Sequence, residues 1–278
     1  MKKLISILSL TVGLLVSATA FVACGSNDDD STEDNSSGKQ SSKRIIKIVE
    51  EDEHKTGEKE ERYISEISLS YDSQGRIVKI VGETNSSAGG NSSTVITYQY
   101  GETLIISKKE TKETDSNGQS FSSSILHSYT LDKGRIIKDE KTRGSSSETI
   151  TYSYDANGQL ASILRSGSNI NSYTVTWSNG NISSIGDVTF TSSNYSWVKG
   201  LPLQLEGSYM DNFLFSMGYY GNFPHNLISS YKRHYSNRDS TYGSTYDYTL
   251  QDGLVTKVVE TYVNDNKYYK VISTVTWE

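Results

Sequence analysis

Few residues in this chain could do chemistry, and their spacing limits what that chemistry is. The histidines are His54, His127, His225 and His234. None stands in an HExxH pattern, none is spaced with cysteine as a zinc ligand, and no Gly-x-Ser-x-Gly elbow occurs. His225 follows Pro224 in a turn, and His234 lies among Tyr231 and Tyr235 on an expected strand. A metal there would need a third ligand, and nothing in the pattern selects Asp239 or Asp247. Carboxylates are abundant but fall in loops and charge runs, and glycosidase spacing between two of them is a property of the fold. Gly89-Gly90 sits in a serine-rich loop with no helix after it, so it is no phosphate cradle. The expectation is a non-enzymatic protein with no catalytic residue, no metal and no cofactor.

The one residue whose position implies a covalent modification is Cys24. Lys2 and Lys3 precede an apolar run from Leu4 to Val22, the pattern of a signal peptide over residues 1–23. About 20 apolar residues could also span a bilayer. However, Phe21-Val22-Ala23-Cys24-Gly25 resembles a bacterial lipobox, in which the cysteine becomes the lipidated first residue. Cys24 is the sole cysteine, so no disulfide forms within the chain. Such an anchor gains ~0.8 kcal/mol per buried methylene and is effectively permanent with several acyl chains. Residues 24–43 then read as an acidic, disordered tether, with a reach of roughly 25 Å. Asp28-Asp29-Asp30 is either a solvated charge run or, by resemblance to lipoproteins of Bacteroidota, a surface-export signal. The expected location is the outer membrane, lipid-anchored and exposed at the cell surface.

Composition narrows the partners. Loss of Lys2 and Lys3 moves the formal charge from −6 to −8, which disfavours nucleic acid. The chain holds 20 tyrosines and only two prolines, which suits successive shallowly buried strands.

Those strands follow from one recurring unit. Thr151-Tyr-Ser-Tyr-Asp-Ala-Asn-Gly-Gln-Leu-Ala-Ser-Ile163 reads as strand, tight turn, strand. Asp155 accepts from backbone two residues on and Gly158 takes a positive φ, so a type I turn with a glycine bulge sets Tyr154 against Leu160. The same register sets Tyr71 against Ile77. In shorter copies it pairs Leu131 with Ile136, Trp177 with Ile182 and Leu250 with Val255. Residues 44–278 therefore read as one all-β domain, a large antiparallel meander of about sixteen strands. Its edges must be managed by rolling up or closing. Glu50 to Glu61 reads as a loop or exposed strand end. In the returning strands Ile77 and Ile80, Leu160 and Ile163, and Ile182 and Ile185 are three apart. Either a bulge intervenes or both faces are partly apolar. Lys47, Lys79, Lys108, Lys138, Arg165 and Lys257 lie near mid-strand, which argues against a barrel that spans a membrane.

The repeat breaks down from Tyr195 to Tyr235. This stretch holds Tyr195, Trp197, Tyr209, Phe213, Phe215, Tyr219, Tyr220, Phe223, Tyr231 and Tyr235, with both prolines. It is either a binding platform of rigid aromatics or a plug that fills the rolled sheet, and Leu201-Pro-Leu-Gln-Leu205 favours the plug.

The repeated Tyr-x-Tyr-Asp-x-x-Gly-x-Leu/Ile units, the segment Trp177-Ser-Asn-Gly-Asn-Ile-Ser-Ser-Ile185 and the ending Thr274-Val-Thr-Trp277 carry a resemblance. They resemble a Bacteroidota lipoprotein family described as a domain of unknown function with a porin-like fold. The resemblance implies a twisted, barrel-like antiparallel sheet in the cell envelope, and it transfers no functional residue. The expected role is a binding module for a glycan, a peptide or a partner protein. The alternatives are a structural or assembly component of the envelope and, less favoured, a hydrolase using loop carboxylates.

Overall fold

The computed structural model describes residues 43–278, apart from 57–58, 168–169, 203–209, 236–239 and 265–266. Cys24 and the tether lie outside the described residues. The strands are β1 (Ile45–Thr56), β2 (Lys59–Tyr71), β3 (Ile77–Ser86), β4 (Asn91–Tyr100), β5 (Leu104–Thr114), β6 (Ser120–Asp132), β7 (Arg135–Arg143) and β8 (Ser146–Tyr154). They continue with β9 (Leu160–Ser166), β10 (Asn171–Ser178), β11 (Asn181–Ile185), β12 (Val188–Ser196), β13 (Asn226–Tyr235), β14 (Ser240–Gln251), β15 (Leu254–Asn264) and β16 (Lys267–Trp277). One short helix, α1 (Asn212–Ser216), lies between β12 and β13. Each strand pairs antiparallel with its sequence neighbours, and β1 pairs with β16 to close a barrel. Closure removes the edges that an open meander would expose. Of the two readings of Glu50 to Glu61, the strand end holds: residues 50–56 finish β1 and 59–61 begin β2, because the polar side chains find a polar lumen and a wet outer wall.

The five hairpin registers match those expected from the turns. Gly158 has φ 78°, its N–H donates to Asp155 O, and Asp155 Oδ1 accepts from the N–H groups of Asn157 and Gln159. The shorter loops carry positive φ at both central residues, such as Asn179 and Gly180, which is a type I′ turn.

Every one of these hairpins is also bulged at the same place. Ser70 pairs with Lys79 but Tyr71 with Ile77, so Val78 is the extra residue. Ile137, Ala161, Ser183 and Thr256 are its counterparts. The bulge resolves the spacing of three. It returns Ile80 to the face of Ile77, and both are buried, 3% and 1% exposed. Between the two alternatives, the bulge is the answer.

The bulge loosens the ladder, and aromatic residues repair it. Tyr71 Oη donates to Ile45 O at 2.7 Å, Tyr100 Oη to Ile77 O at 2.7 Å and Tyr154 Oη to Ile136 O at 2.6 Å. Tyr248 does the same to Ile228 O, and the indoles of Trp177 and Trp277 reach Leu160 O and Val255 O. A buried carbonyl without a partner would be destabilising, so these contacts explain why residues with an apolar ring and a polar tip recur here. Tyr154→Phe is expected to cost about 1 kcal/mol, read from the urea midpoint. An unchanged midpoint would remove this bond from the account.

Many outward positions are charged, although Ile64 and Leu164 are also exposed there. Lys47 pairs with Glu66 at 2.6 Å, Lys108 with Glu110 at 2.7 Å and Lys138 with Glu140 at 2.9 Å, all on the outer wall. Such exposed pairs contribute little to stability. Their meaning is positional, since a lipid-facing barrel needs a continuous apolar band there. Arg165 differs, because it sits opposite inward-facing Ile150 and pairs with Glu148. Among the described residues no helix is long and apolar enough to cross a membrane.

Candidate functional site

The lumen has two halves. At the end that carries Arg44 and Glu278, aliphatic residues fill it. Ile77, Ile105, Ile136, Leu160, Ile182 and Val255 stand just after the turns, and Ile45 opens β1 at the same level. Ile48, Ile80, Ile163, Ile185 and Val258 follow three residues on. In β7 that second position is Asp139, only 4% exposed. His127 Nδ1 lies 2.9 and 3.0 Å from its two carboxylate oxygens, and the imidazole stacks on Tyr129 at 5.5 Å.

The described residues 197–202 and 210–225 close this end. Their backbone bonds to three hairpins: Ile136 N donates to Tyr219 O, Asn222 N to Gly158 O and His225 N to Gly180 O. Asp211 is the node of the segment. Its Oδ1 accepts from Phe213 N and Leu214 N and so caps α1, and its Oδ2 accepts from Tyr98 Oη at 2.8 Å and Tyr129 Oη at 3.3 Å. Burial is the main cause of the raised pKa of both tyrosines, with the Asp211 charge second.

Most of the aromatics singled out in the sequence belong to this plug. Trp197 stacks on Phe223 at 6.0 Å and meets Phe215 edge-on. Tyr219 stacks on Tyr100, Tyr220 is buried against Tyr152, and Phe213 packs on the core. Tyr231 is buried on β13. Tyr195 stands apart, 44% exposed and edge-on to Tyr248. Tyr209 and the side chain of Tyr235 lie outside the described residues. The stretch is therefore chiefly a plug, and only Tyr195 among the described members offers an open aromatic face.

The other half of the lumen is polar. The described connections at that end, which join β3 to β4, β5 to β6, β7 to β8 and β11 to β12, are hairpin loops of two to five residues and too short to cross the opening. Glu50, Asp52 and His54 face inward on β1, Ser65 and Tyr63 on β2, Tyr246 on β14, Glu260 on β15, and Tyr269 and Ser273 on β16. Together with Leu201 and Pro202 of the plug, most of these groups line a cavity of about 120 Å³. Tyr269 Oη donates to Asp52 Oδ2 at 3.1 Å, Tyr246 Oη to Glu260 at 3.3 Å and Ser273 Oγ to Glu50 at 3.5 Å. His54 Nε2 lies 3.0 Å from both Asp52 oxygens and bonds to Oδ2, while the buried Oδ1 has no hydrogen bond.

This geometry strains the carboxylates. Burial pushes the Glu50 pKa up, and the charges of Asp52 and Glu260 push it further, against the opposing bond from Ser273. Burial likewise raises Asp52, with His54 and Tyr269 pulling it back. A raised folded pKa means that the folded state holds the proton more tightly than the unfolded chain. The ionised groups therefore weaken the fold as pH rises through and above the ordinary carboxylate range. Glu50→Gln is expected to raise the denaturation midpoint at pH 7, with the gain vanishing below the ordinary glutamate pKa. A gain that persists in acid would refute this.

The opposite wall is basic. Lys109, Lys141 and Arg165 project from β5, β7 and β9, with Glu148 between the last two. Burial lowers the Lys109 pKa, and the Asp211 charge partly offsets this.

A histidine bonded to a buried aspartate suggests a hydrolytic triad, but the third member fails. Ser107 lies opposite His127 on β5, yet it is 2% exposed and its hydroxyl bonds to Tyr98. Among the described residues no group of three or more ligands is placed to hold a metal ion.

Sequence inspection missed Asp139 and the three luminal carboxylates. Asp139 carried a signal, because it occupies a core position of the repeat where other copies have Ile or Val. Glu50 and Asp52 lay hidden in a charge run whose alternation only the barrel reveals.

Comparison with solved structures finds the same fold. A porin-like protein from Bacteroides uniformis ATCC 8492 superposes with a TM-score of 0.61 at 18% identity, covering 84% of this chain and 96% of its own. A porin-like protein from Bacteroides vulgatus ATCC 8482 matches at TM-score 0.42 and 13% identity, covering 84% and 98%. A search of curated proteins found no match. Residues 69–272 match a family profile, a span that leaves out β1 although the barrel needs it to close. The chain thus belongs to the family described as "Domain of unknown function (DUF4595) with porin-like fold".

Proposed function

We propose that this chain is a non-enzymatic binding module, lipid-anchored through Cys24 and exposed at the cell surface, which takes a glycan or peptide into its lumen. The observation that carries the reading is the polar cup. One end is sealed by the plug, and the lining of the other half is acidic and tyrosine-rich on one wall and basic on the other. Tyrosine faces and carboxylates are the groups that hold sugars and cationic side chains. The burial of Glu50 and Asp52 at a cost in stability is the kind of compromise that binding sites make. The plug and the charged outer wall weigh against a membrane channel.

Glycan-array and peptide-library screening tests the idea. Binding is expected for the unmodified chain and is expected to weaken about tenfold in Tyr269→Ala or Glu260→Gln. Binding that survives both substitutions would move the site out of the lumen, and no binding at all would remove the reading. Protease shaving of intact cells, with Cys24→Ala as the unanchored control, tests the location.

A further inference from the structure

The polar half of the lumen is not walled all round. Inward-facing positions rise along each strand from the plugged end. Above the level of Ile48, Ile80, Ile163, Ile185 and Val258, β1 carries Glu50, Asp52 and His54, and β15 carries Glu260 and Tyr262. β11 carries nothing above Ile185, because the chain turns at Gly186-Asp187 and β12 starts back down from Val188. The strands on either side run on. β10 reaches Asn171, four residues beyond the Val175 that pairs with Ile185, and β13 reaches Tyr235, two beyond the Arg233 that pairs with Val188. At ~3.3 Å per residue, the gap is roughly 13 Å deep beside β10 and roughly 7 Å beside β13. Among the described strands none fills it: Asn171, Ser172 and Tyr173 pair only with β9, and His234 and Tyr235 only with β14. The low sill is built as such. Gly186 N donates to Thr174 O at 2.9 Å as the last rung, and Arg233 Nε donates to Asp187 Oδ2 at 2.8 Å. Gly186, at φ 58°, fits under Tyr173, whose ring would stand 2.7 Å from a Cβ there.

A row of rings leads away from this opening. Tyr242, Tyr262, Tyr269, His54 and Tyr63 face inward from β14, β15, β16, β1 and β2, with successive centroids 6.0, 6.4, 4.4 and 5.4 Å apart. The row ends six strands on from β12, toward the far side of the sixteen-strand ring. Tyr152, Tyr220 and Tyr231 are buried, whereas each member of the row keeps part of its surface accessible. These rings therefore line the bore instead of filling the core. Three tips are tied. Tyr63 Oη donates to Glu61 at 2.9 Å, Tyr269 Oη donates to Asp52 at 3.1 Å, and Tyr242 Oη accepts from Arg233 Nη1 at 3.3 Å. The rings are thus set before a ligand arrives, which lowers the entropic cost of binding. With the Tyr63 and Tyr269 protons already given to carboxylates, the oxygens beside these two rings act as acceptors.

We infer that the lumen binds an internal stretch of a linear, uncharged glycan, which enters at the mouth, follows the row of rings and leaves through the side opening. This rests on the luminal reading above and narrows it. A cup walled all round admits a chain end first and holds its terminus, whereas a side opening leaves both ends of the chain free. Sugar C–H faces pack on rings, and sugar hydroxyls donate to the acceptors beside them. An anionic glycan would set its charge against Glu61, Asp52 and Glu260. An extended peptide would bring a backbone N–H and C=O at every residue. The ladder from β13 round to β2 is already paired on both sides, so only side chains would remain to satisfy them.

The test uses the full chain with Cys24→Ser, which removes the sole cysteine. Amylose, linear xylan and mixed-linkage β-glucan chains of defined length are titrated by calorimetry, each beside its own hexasaccharide. At least one polymer is expected to bind, with the number of protein molecules per chain rising with chain length. Tyr262→Ala is expected to weaken that binding about tenfold. Asp187→Cys is then labelled with a maleimide-linked polyethylene glycol at the sill, where the side chain is exposed. Relative to the unlabelled variant, the label is expected to weaken polymer binding about tenfold and to leave hexasaccharide binding within about twofold. One protein per chain at every length, or a label without effect on the polymer, overturns the inference while luminal binding stands. Tighter binding of hyaluronan than of the neutral polymers also overturns it. Peptide binding with no response to any glycan makes the guest a peptide and overturns this inference alone. Failure of glycans and peptides together removes both readings.

Discussion

Replacing Asp211 with alanine is expected to destabilise the protein by about 4 kcal/mol. The substitution removes the cap of α1, worth ~1 kcal/mol. It also strips the buried hydroxyls of Tyr98 and Tyr129 of a charged acceptor, at ~1.5–3 kcal/mol for such a bond. Neither tyrosine can turn to water, because both are buried. The losses share one site and will not simply add. Asp211→Asn keeps a good capping oxygen and should recover about half of the loss. The measurement is urea unfolding followed by near-ultraviolet circular dichroism, since the affected rings report on the plug. A loss below ~1 kcal/mol for the alanine variant would mean that the plug is not held through this residue.

Gly221→Ala is the second large effect, expected at about 3 kcal/mol. Gly221 has φ 90°, and a Cβ there would stand 2.4 Å from Gly158 O and 3.0 Å from the Tyr154 ring. The left-handed backbone alone costs ~1–2 kcal/mol for any other residue. The clash with a backbone carbonyl adds to it, because that carbonyl belongs to a tight turn and cannot withdraw. The plug must shift, which breaks the bond from Asn222 N to Gly158 O and that from Asn222 Nδ2 to Asn157 O. Gly253→Ala is the matched control. Its φ is 77°, yet nothing lies within 4 Å of a Cβ there. It should show the backbone cost alone. Limited proteolysis should cut Gly221→Ala within residues 197–225 before the strands. Equal effects of the two substitutions would show that the plug does not press on the β8–β9 turn.

The turn residues made the hairpins legible, because Asp155 and Gly158 fix a register through local bonds that need no tertiary partner. Local chemistry also explains why the bulge was ambiguous. Ile77 and Ile80 could have faced opposite sides of a flat sheet, and only closure makes the outside wet and the inside dry. Closure itself joins Arg44 to Glu278 across the whole length of the described chain, through reciprocal backbone bonds of 3.0 and 2.9 Å. No window of sequence contains both partners. The same reason hid the candidate sites. Glu50, Asp52 and Glu260 meet only because β1 and β15 both flank β16. Tyr173 and Arg233 flank one opening only because β11 and β12 stop short between them. The aromatic stretch left two readings open, plug and platform, because burial and binding favour the same residue types, and composition alone does not separate them.

The bonds from aromatic tips to bulge carbonyls give the ring a property that no single hairpin has. Each fastening joins one strand to the one before it, and none spans more than that. Tyr71 takes the carbonyl of Ile45 and Trp277 that of Val255 on these same terms, while first and last strands meet through an ordinary antiparallel backbone ladder. Nothing in the joint records how many strands the ring contains. The girth of such a barrel is then a matter of counting. A gene that gained or lost one strand pair would encode the same wall with a wider or narrower bore. The bore could be resized without redesigning the fastenings between neighbouring strands.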